Sequence, residues 1–161
     1  MSTGTVIAHG GVLEVGTEPL DVTFHRVGAH GSSPQFSEEA ALMAALAVVE
    51  YQPIVSRVLD PGDAAVITEG AIHAGIENNT IPDLALLKLN FRFFDMKVRE
   101  QSFRGVKEVS EGIALTYGMP EDKMPTIVRK GFSAPLVNSE RLMALIGDAL
   151  TTAGVVTKSG W

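Results

Sequence analysis

The sequence contains no cysteine among its 161 residues. Disulfide bonds, thiolate metal sites and a cysteine nucleophile are therefore excluded. Basic residues are also few, because 13 Lys and Arg stand against 19 Asp and Glu, a net charge of −6 at pH 7. Binding to nucleic acid or to an anionic membrane requires a basic surface, so we expect neither partner.

The sequence also lacks the two kinds of segment that direct a chain to a membrane. The N-terminal residues, Met1 to Gly11, have neither the basic start nor the continuous apolar stretch of a signal peptide. The longest apolar run, Ala40 to Val49, is too short to span a bilayer. We therefore expect a cytoplasmic protein, and the absence of cysteine agrees with a reducing compartment.

What the sequence does contain is enough apolar material for one packed domain with tails. The hydrophobic fraction is 45%, and 16 glycines and 8 prolines lie mainly between periodic segments. Six of these segments have the periodicity of a strand or a helix. They are strand Leu20–Val27, a helix from Ser37 to about Arg57 interrupted at Pro53, strand Ala64–His73, strand Leu84–Phe94, a helix from Asp95 to Tyr117 and strand Met124–Lys130.

The order β-α-β-β-α-β predicts an α+β, ferredoxin-like fold, in which a four-stranded antiparallel sheet buries one face under two helices. On the first helix, the inner stripe is expected at Leu42, Leu46 and Val49. The open face of the sheet is expected to carry polar residues of the first and third strands: Asp21, Thr23, Lys88, Asn90 and Arg92.

The two ends of the chain do not fit this unit. Residues 1–19 form a glycine-rich lead-in, and Asn138 to Gly154 predict an additional C-terminal amphipathic helix. An apolar helix stripe without a partner indicates a piece of a second domain. We therefore expect the chain to be cut from the interior of a longer polypeptide, with residues 20–131 as one domain and 132–161 as a return segment.

Complete catalytic motifs are absent from the sequence. There is no GxSxG, no Walker loop, and no metal-ligand spacing among the four histidines; Glu38 and Glu39 are explained as the first turn of a helix. The loop Gly28–Pro34, GAHGSSP, precedes a helix and places His30 between small residues. His30 is either a donor to a substrate oxygen or an exposed loop histidine, and the residues alone leave both interpretations open.

Two further polar residues are candidates for substrate binding. Asn79, in the loop ENNTIPD, is suited to orienting a carboxylate or amide, or else serves as a turn residue. Arg92 projects from the polar face of the third long strand, where it can grip a carboxylate or pair with Asp21. His73, at the end of the second strand, is interpreted as structural.

Three stretches taken together resemble the lid domain of the aminoacylase, hippurate hydrolase and auxin-conjugate amidohydrolase family of metallopeptidases. They are FHRVGAHGSSP, YQPIVSRVLDP running into AAVITEGAIHAG, and ENNTIPDLALLKLNFRFFD. The family pattern is a G-x-H-G-or-A-x-x-P loop, a Q-x-I-V-S-R helix end, an N-x-I-P hairpin and a strand with R-x-F. The chain departs from it at Pro53, which follows Gln52 directly.

The resemblance implies a specific role. Members have a catalytic domain with two divalent metal ions, expected to be zinc, interrupted by a ferredoxin-like lid. The ligand motifs lie in the interrupted domain, so this chain should hold no metal or other cofactor and be inactive alone. His30 would reach into a partner's active site as a transition-state stabiliser, while Asn79 and Arg92 would help to hold the substrate.

The resemblance also implies that lids pair as a homodimer, through the edge strand 64–73 and the first helix. Gly28 and Gly131 are the expected hinge positions. The rival interpretation is a free-standing ferredoxin-like regulatory module that binds a small effector at the first β–α loop. An RNA-binding interpretation is disfavoured, because Phe91 and Phe93 share the core side of their strand and the charge is negative.

Overall fold

The computed structural model describes residues 4–37 and 39–158. Three α-helices and ten strands follow one another in this part of the chain. They are β1 (Thr5–Ile7), β2 (Gly11–Glu14), β3 (Gly16–His25), β4 (Ala29–His30), α1 (Ala40–Pro53), β5 (Ala65–Ala74), β6 (Thr80–Ile81), β7 (Leu84–Phe93), α2 (Met96–Thr116), β8 (Thr126–Arg129), β9 (Leu136–Asn138), α3 (Glu140–Thr152) and β10 (Val156–Lys158).

The central sheet has four strands in the order β5-β7-β3-β8, and every neighbouring pair is antiparallel. The predicted α+β fold with a β-α-β-β-α-β unit is confirmed. The long strands span the sheet from end to end, because Gly16 pairs with Phe93 and His25 pairs with Leu84. The sheet therefore has two ends, which we call the β3-start end (Gly16, Phe93) and the β3-stop end (His25, Leu84).

The first strand of the sheet begins earlier than its hydrophobic alternation indicates. It runs from Gly16 rather than Leu20, and its inward residues include Glu18, which is fully buried. A charged residue at an inward position breaks the apolar pattern on which the prediction depends. Gly16 is also required by packing, because an added Cβ would lie 2.3 Å from the Phe93 ring.

Helices α1 and α2 cover one face of the sheet, and the inward residues of the strands form the core with them. The predicted inner stripe of α1 is wrong. Met43, Ala44, Ala47 and Tyr51 are buried, whereas Leu42 and Val49 are exposed. The small alanines allow the helix to approach the sheet closely. This close packing places the alanine side of the helix, rather than the side with the larger leucines, against the sheet.

Helix α1 begins later than predicted, and its regular part ends at Pro53, where the interruption is predicted. It begins at Ala40, and the Ser37 hydroxyl donates instead to the Val27 carbonyl at 2.7 Å; Glu38 lies outside the described residues. Beyond Pro53 the chain continues in a wider turn, Ile54–Val58, closed by Leu59 N–H to the Ile54 carbonyl. The combined helical segment Ala40–Val58 is the one described stretch long and apolar enough to cross a membrane. Its Met43, Ala44 and Tyr51 side chains lie in the core, as in a core helix.

The ends of the chain pair with each other outside the central sheet. Strand β1 pairs in parallel with β10, and β2 pairs antiparallel with β9. Helix α3 begins after Ser139, whose side chain caps it, and no residue of α3 is buried. Leu142, Leu145 and Ile146 are exposed large apolar side chains on this helix.

Candidate functional site

The loop after β3 and the hairpin before β7 meet at the β3-stop end of the sheet. Strands β4 and β6 pair antiparallel, with Ala29 opposite Ile81 and His30 opposite Thr80. The Gly31 N–H donates to the Asn79 carbonyl at 2.8 Å, which extends the pairing by one residue. Two of the three predicted site residues, His30 and Asn79, are therefore held side by side, although 49 positions separate them in the sequence.

Glycines allow these two segments to approach so closely. A Cβ on Gly28 would lie 3.1 Å from the Ile81 carbonyl oxygen, and one on Gly31 would lie 3.2 Å from that of Asn79. Gly28 follows β3 at the β3-stop end, whereas β2 precedes β3 at the other end of the sheet; its hinge role stays a prediction. Gly131, with φ of 100°, follows β8 directly and lies at the β3-start end.

The hydrogen bonds of the His30 ring define which nitrogen faces outward. Nδ1 accepts the Ser32 backbone N–H at 3.2 Å and lies 2.8 Å from the Ser32 hydroxyl. A neutral imidazole with Nδ1 as acceptor carries its proton on Nε2. The side chain is exposed, and no described residue is bonded to Nε2. His30 thus presents an outward N–H donor, oriented by the serine two residues later.

The Asn79 side chain is equally available. Its Oδ1 has a single long contact, 3.5 Å from the Thr80 hydroxyl, and the residue is exposed. The amide NH2 has no partner within the described chain and can donate to a ligand oxygen. His30 and Asn79 each offer a side-chain N–H donor on neighbouring segments. Donors of this kind can stabilise an oxygen that becomes negatively charged.

Arg92 does not join this pair. It lies eight residues further along β7 than Leu84, about 27 Å away at the usual rise of a strand. It is exposed on the open face, between Thr17 of β3 and Val66 of β5. The predicted alternative, an ion pair with Asp21, does not form, because Asp21 pairs with Lys88 and Lys130.

A cavity of about 570 Å³ lies beside the His30–Asn79 junction. The hairpin between β5 and β7 forms most of its wall, from His73 to Glu77 and from Thr80 to Leu84, and Gly28 closes one side. His73 is exposed at this wall rather than part of the core. His30 and Asn79 themselves do not line the cavity, but their sequence neighbours Gly28 and Thr80 do.

The sequence interpretation missed an ionic cluster at the β3-start end. The buried Glu18 carboxylate accepts two hydrogen bonds from Arg99 and two from Arg129, and both arginines also bind Glu100. Hydrogen bonding from Arg129 lowers the pKa of Glu100, and bonding to Glu18 and then Glu100 raises the pKa of Arg129. These groups are saturated by one another, so the cluster is structural. Its only sequence signal was a glutamate at an inward strand position.

The described residues contain no group of three or more His, Asp or Glu that could hold a metal ion. The four residues that bear on chemistry here, His30, Ser32, Asn79 and Arg92, are donors or cations rather than a ligand set. No reaction step through a metal is therefore assigned to these side chains.

Comparison with known proteins gives relatives along most of the chain. It is 32% identical over 142 residues to N-acetyldiaminopimelate deacetylase of Streptococcus uberis, which covers 88% of this chain and 37% of the relative. The same enzyme of Lactococcus lactis subsp. cremoris is 31% identical over 148 residues, 92% of this chain and 39% of the relative. No protein-family model matches.

A solved structure shares the fold. A protein of methicillin-resistant Staphylococcus aureus, assigned as an aminohydrolase, superposes with a TM-score of 0.84 at 23% identity, over 100% of this chain and 42% of that one. The chain is homologous to N-acetyldiaminopimelate deacetylases, which confirms the family that the motifs indicate. It spans about two fifths of the length of the curated relatives it matches.

Proposed function

We propose that this chain is the lid and dimerisation domain of a metal-dependent amidohydrolase that hydrolyses N-acyl amino acids or related amides. The observation that carries the proposal is the His30–Asn79 junction, where two outward donors are built into the end of a rigid sheet. Such donors stabilise the oxyanion of a tetrahedral intermediate, which forms when water attacks an amide. The described residues supply these donors, and we assign the groups that activate the water to the rest of the protein.

The remaining machinery belongs to the part of the protein outside this chain. There we place two divalent metal ions, with zinc as the expected metal, which would supply the activated water. The exposed apolar residues of α3 and the parallel pair β1–β10 support this, because a parallel pair is normally buried within a larger sheet covered by helices. Because β3 of the lid sheet begins at Gly16, we place the end of the lead-in there rather than at residue 19. We accordingly propose that residues 1–15 and 132–161 are parts of the catalytic domain, in a cytoplasmic enzyme.

Dimerisation explains why Arg92 is so far from His30. Strand β5 pairs only with β7 among the described strands, so its other edge is open. A two-fold axis that joins β5 to β5 of a second copy makes the strands antiparallel and extends the sheet. The β3-stop end of one copy then lies beside the β3-start end of the other, which carries Arg92.

Spacing in such a joined sheet favours a site shared between copies. Three strand spacings separate the two β7 strands, about 14 Å. Within one copy, Leu84 at the β3-stop end and Arg92 are about 27 Å apart along β7. Each site would then take His30 and Asn79 from one lid and Arg92 from the other. Helix α1 runs along the joined edge, where Gln52 Nε2 donates to Glu69 of β5 at 3.2 Å.

Subunit mixing in the full-length enzyme tests this arrangement. His30→Ala should lower turnover much more than metal content, and Arg92→Ala should raise KM for the carboxylate-bearing substrate. At a substrate concentration far below the KM of Arg92→Ala, both variants should have little activity. When they are mixed and allowed to exchange, each mixed dimer has one site with both defects and one intact site. About a quarter of the wild-type activity should return, since about half of the dimers are mixed.

The control is a mixture of His30→Ala with Asn79→Ala, which should stay inactive because both residues are assigned to the same lid. Restoration in that control, or none in the first mixture despite mixed dimers shown by native mass spectrometry, would contradict the shared site. Full turnover by His30→Ala alone would remove its assigned role.

A further inference from the structure

We propose that Asn90 is a specificity-determining residue, which binds the carboxylate of the substrate together with Arg92. This inference rests on the proposed function for the identity of the substrate, but the binding itself is a property of this chain. Asn90 and Arg92 are two residues apart on the open face of β7, about 7 Å from each other. A carboxylate held by the arginine is within reach of a neighbouring amide.

The Asn90 amide is oriented before any ligand arrives. The Thr17 hydroxyl donates to Asn90 Oδ1 at 3.1 Å. Because the oxygen of the amide is engaged by Thr17, its NH2 group is directed away and remains a donor without a described partner. The half-buried position of both residues restricts alternative side-chain conformations.

Thr17 is itself held firmly on both sides. Its backbone exchanges hydrogen bonds with Ser133, at 3.0 Å and 2.9 Å, and it lies opposite Arg92 in the β3–β7 register. The segment returning from β8 thus fixes Thr17, Thr17 orients Asn90, and Asn90 faces the same side as Arg92. Thr68, opposite Asn90 on β5, has a hydroxyl for which the described chain shows no bond.

The charges on the open face favour an anion at this point. Asp21 is neutralised by Lys130 at 2.9 Å and by Lys88 at 3.8 Å. Arg92 has no carboxylate partner among the described residues, so its guanidinium is free for a ligand. A carboxylate accepts from the guanidinium fork and from the Asn90 NH2 at once, whereas a neutral carboxamide gains much less from the cation. The pair therefore selects substrates that end in a free carboxylate.

Titration of the 161-residue chain tests the assignment without any enzymatic activity. N-acetylglycine is the probe and N-acetylglycinamide the neutral comparison, followed by NMR of the side-chain amide groups. The Asn90 NH2 signal should shift saturably with the first compound and not with the second. Arg92→Gln and Asn90→Asp should abolish the NMR shifts that N-acetylglycine causes in the chain. Asn90→Leu should weaken N-acetylglycine binding about three- to tenfold.

Threonine variants separate orientation from general polarity. Thr17→Val should weaken N-acetylglycine binding about twofold or more, because Asn90 loses its fixed partner. Thr68→Val, the same change on the neighbouring strand, should have no effect. Backbone spectra verify that each variant is folded.

Equal binding by Asn90→Leu and the wild type, or equal binding of the amide and the acid, would overturn the assignment. That result is distinct from failure of the shared site. Restored activity in mixed dimers with unchanged binding in Asn90→Leu removes only the role of Asn90. Confirmed binding without restoration removes only the shared site.

Discussion

The carboxylate of Glu18 and the guanidinium of Arg129 form a two-point pair, with Nε 2.6 Å from Oε1 and Nη2 2.9 Å from Oε2. Arg99 binds the same carboxylate from the other side, at 2.8 Å and 3.1 Å. Arg129 stacks on the Phe103 ring, and Arg99 stacks on the Phe132 ring. This cluster joins β3, α2 and β8 where the chain enters and leaves the sheet.

Removing the central charge should therefore destabilise the fold. Glu18→Gln leaves two arginines around a neutral amide, one of them nearly buried, and should lower the free energy of unfolding by about 3 kcal/mol. Urea denaturation followed by circular dichroism measures the change. Glu100→Gln, at the exposed rim of the same cluster, should change it by less than about 1 kcal/mol. Equal effects of the two variants would show that burial of Glu18 contributes nothing.

Tyr51 predicts a loss of stability at alkaline pH. Its hydroxyl donates to the Ser110 hydroxyl at 2.7 Å, since Ser110 donates its own proton to the Val106 carbonyl at 2.6 Å. Burial raises the pKa of Tyr51 to about 12 from 10.0. The unfolded chain ionises first, so this stabilisation is complete below pH 10 and is lost as the pH rises to about 12.

Because the pKa of Tyr51 rises from 10.0 to about 12, the free energy of unfolding should fall by roughly 2–3 kcal/mol at most. Urea unfolding at pH 9, 10, 11 and 12 should show this decline in the wild type. Tyr51→Phe should lack this part of the decline. Parallel pH curves for both proteins would mean that Tyr51 is not protected from ionisation in the fold.

Two glycines on α2 should respond oppositely to alanine. A Cβ on Gly105 would lie 2.9 Å from Ile54 Cγ2, whereas one on Gly112 meets nothing within 4 Å. Gly105→Ala should destabilise by about 1–2 kcal/mol through overpacking, and Gly112→Ala should stabilise by up to about 1 kcal/mol through helix propensity. Thermal unfolding of both variants measures the signs. Stabilisation by both would mean that Ile54 can move aside freely.

The two edges of the sheet should differ in their effect on association. Val66 on β5 is 53% exposed and Val128 on β8 is 44% exposed. If β5 forms the proposed dimer interface, Val66→Lys places a charge at the joint and should shift the chain towards monomer, while Val128→Lys should not. Light scattering after size exclusion measures the mass over a concentration series. A wild-type chain that is monomeric at high concentration argues against the interface itself.

Sequence patterns predicted the order of elements because each central strand keeps a period of two. On β7, Leu87, Leu89, Phe91 and Phe93 are all buried, as their alternation with polar residues indicates. The start of α2 at Asp95 is equally local, since Asp95 Oδ1 caps the helix by accepting from the Lys97 N–H at 2.6 Å. The prediction of the inner face of α1 was wrong because that face is decided by how closely the helix packs against the sheet. This packing depends on both surfaces, and the helix sequence alone does not contain it.

The candidate site shows the same division. The sequence by itself determined His30, Asn79 and Arg92 as polar residues in loop and strand contexts, because residue type and local spacing are enough for that. Only the tertiary structure brought the His30 segment next to the Asn79 segment. Only the tertiary structure, likewise, showed that Arg92 lies at the opposite end of β7. Hydrogen bonding between distant segments, β4 with β6 and β3 with β7, fixes which ends of the strands meet, and no local pattern contains that information.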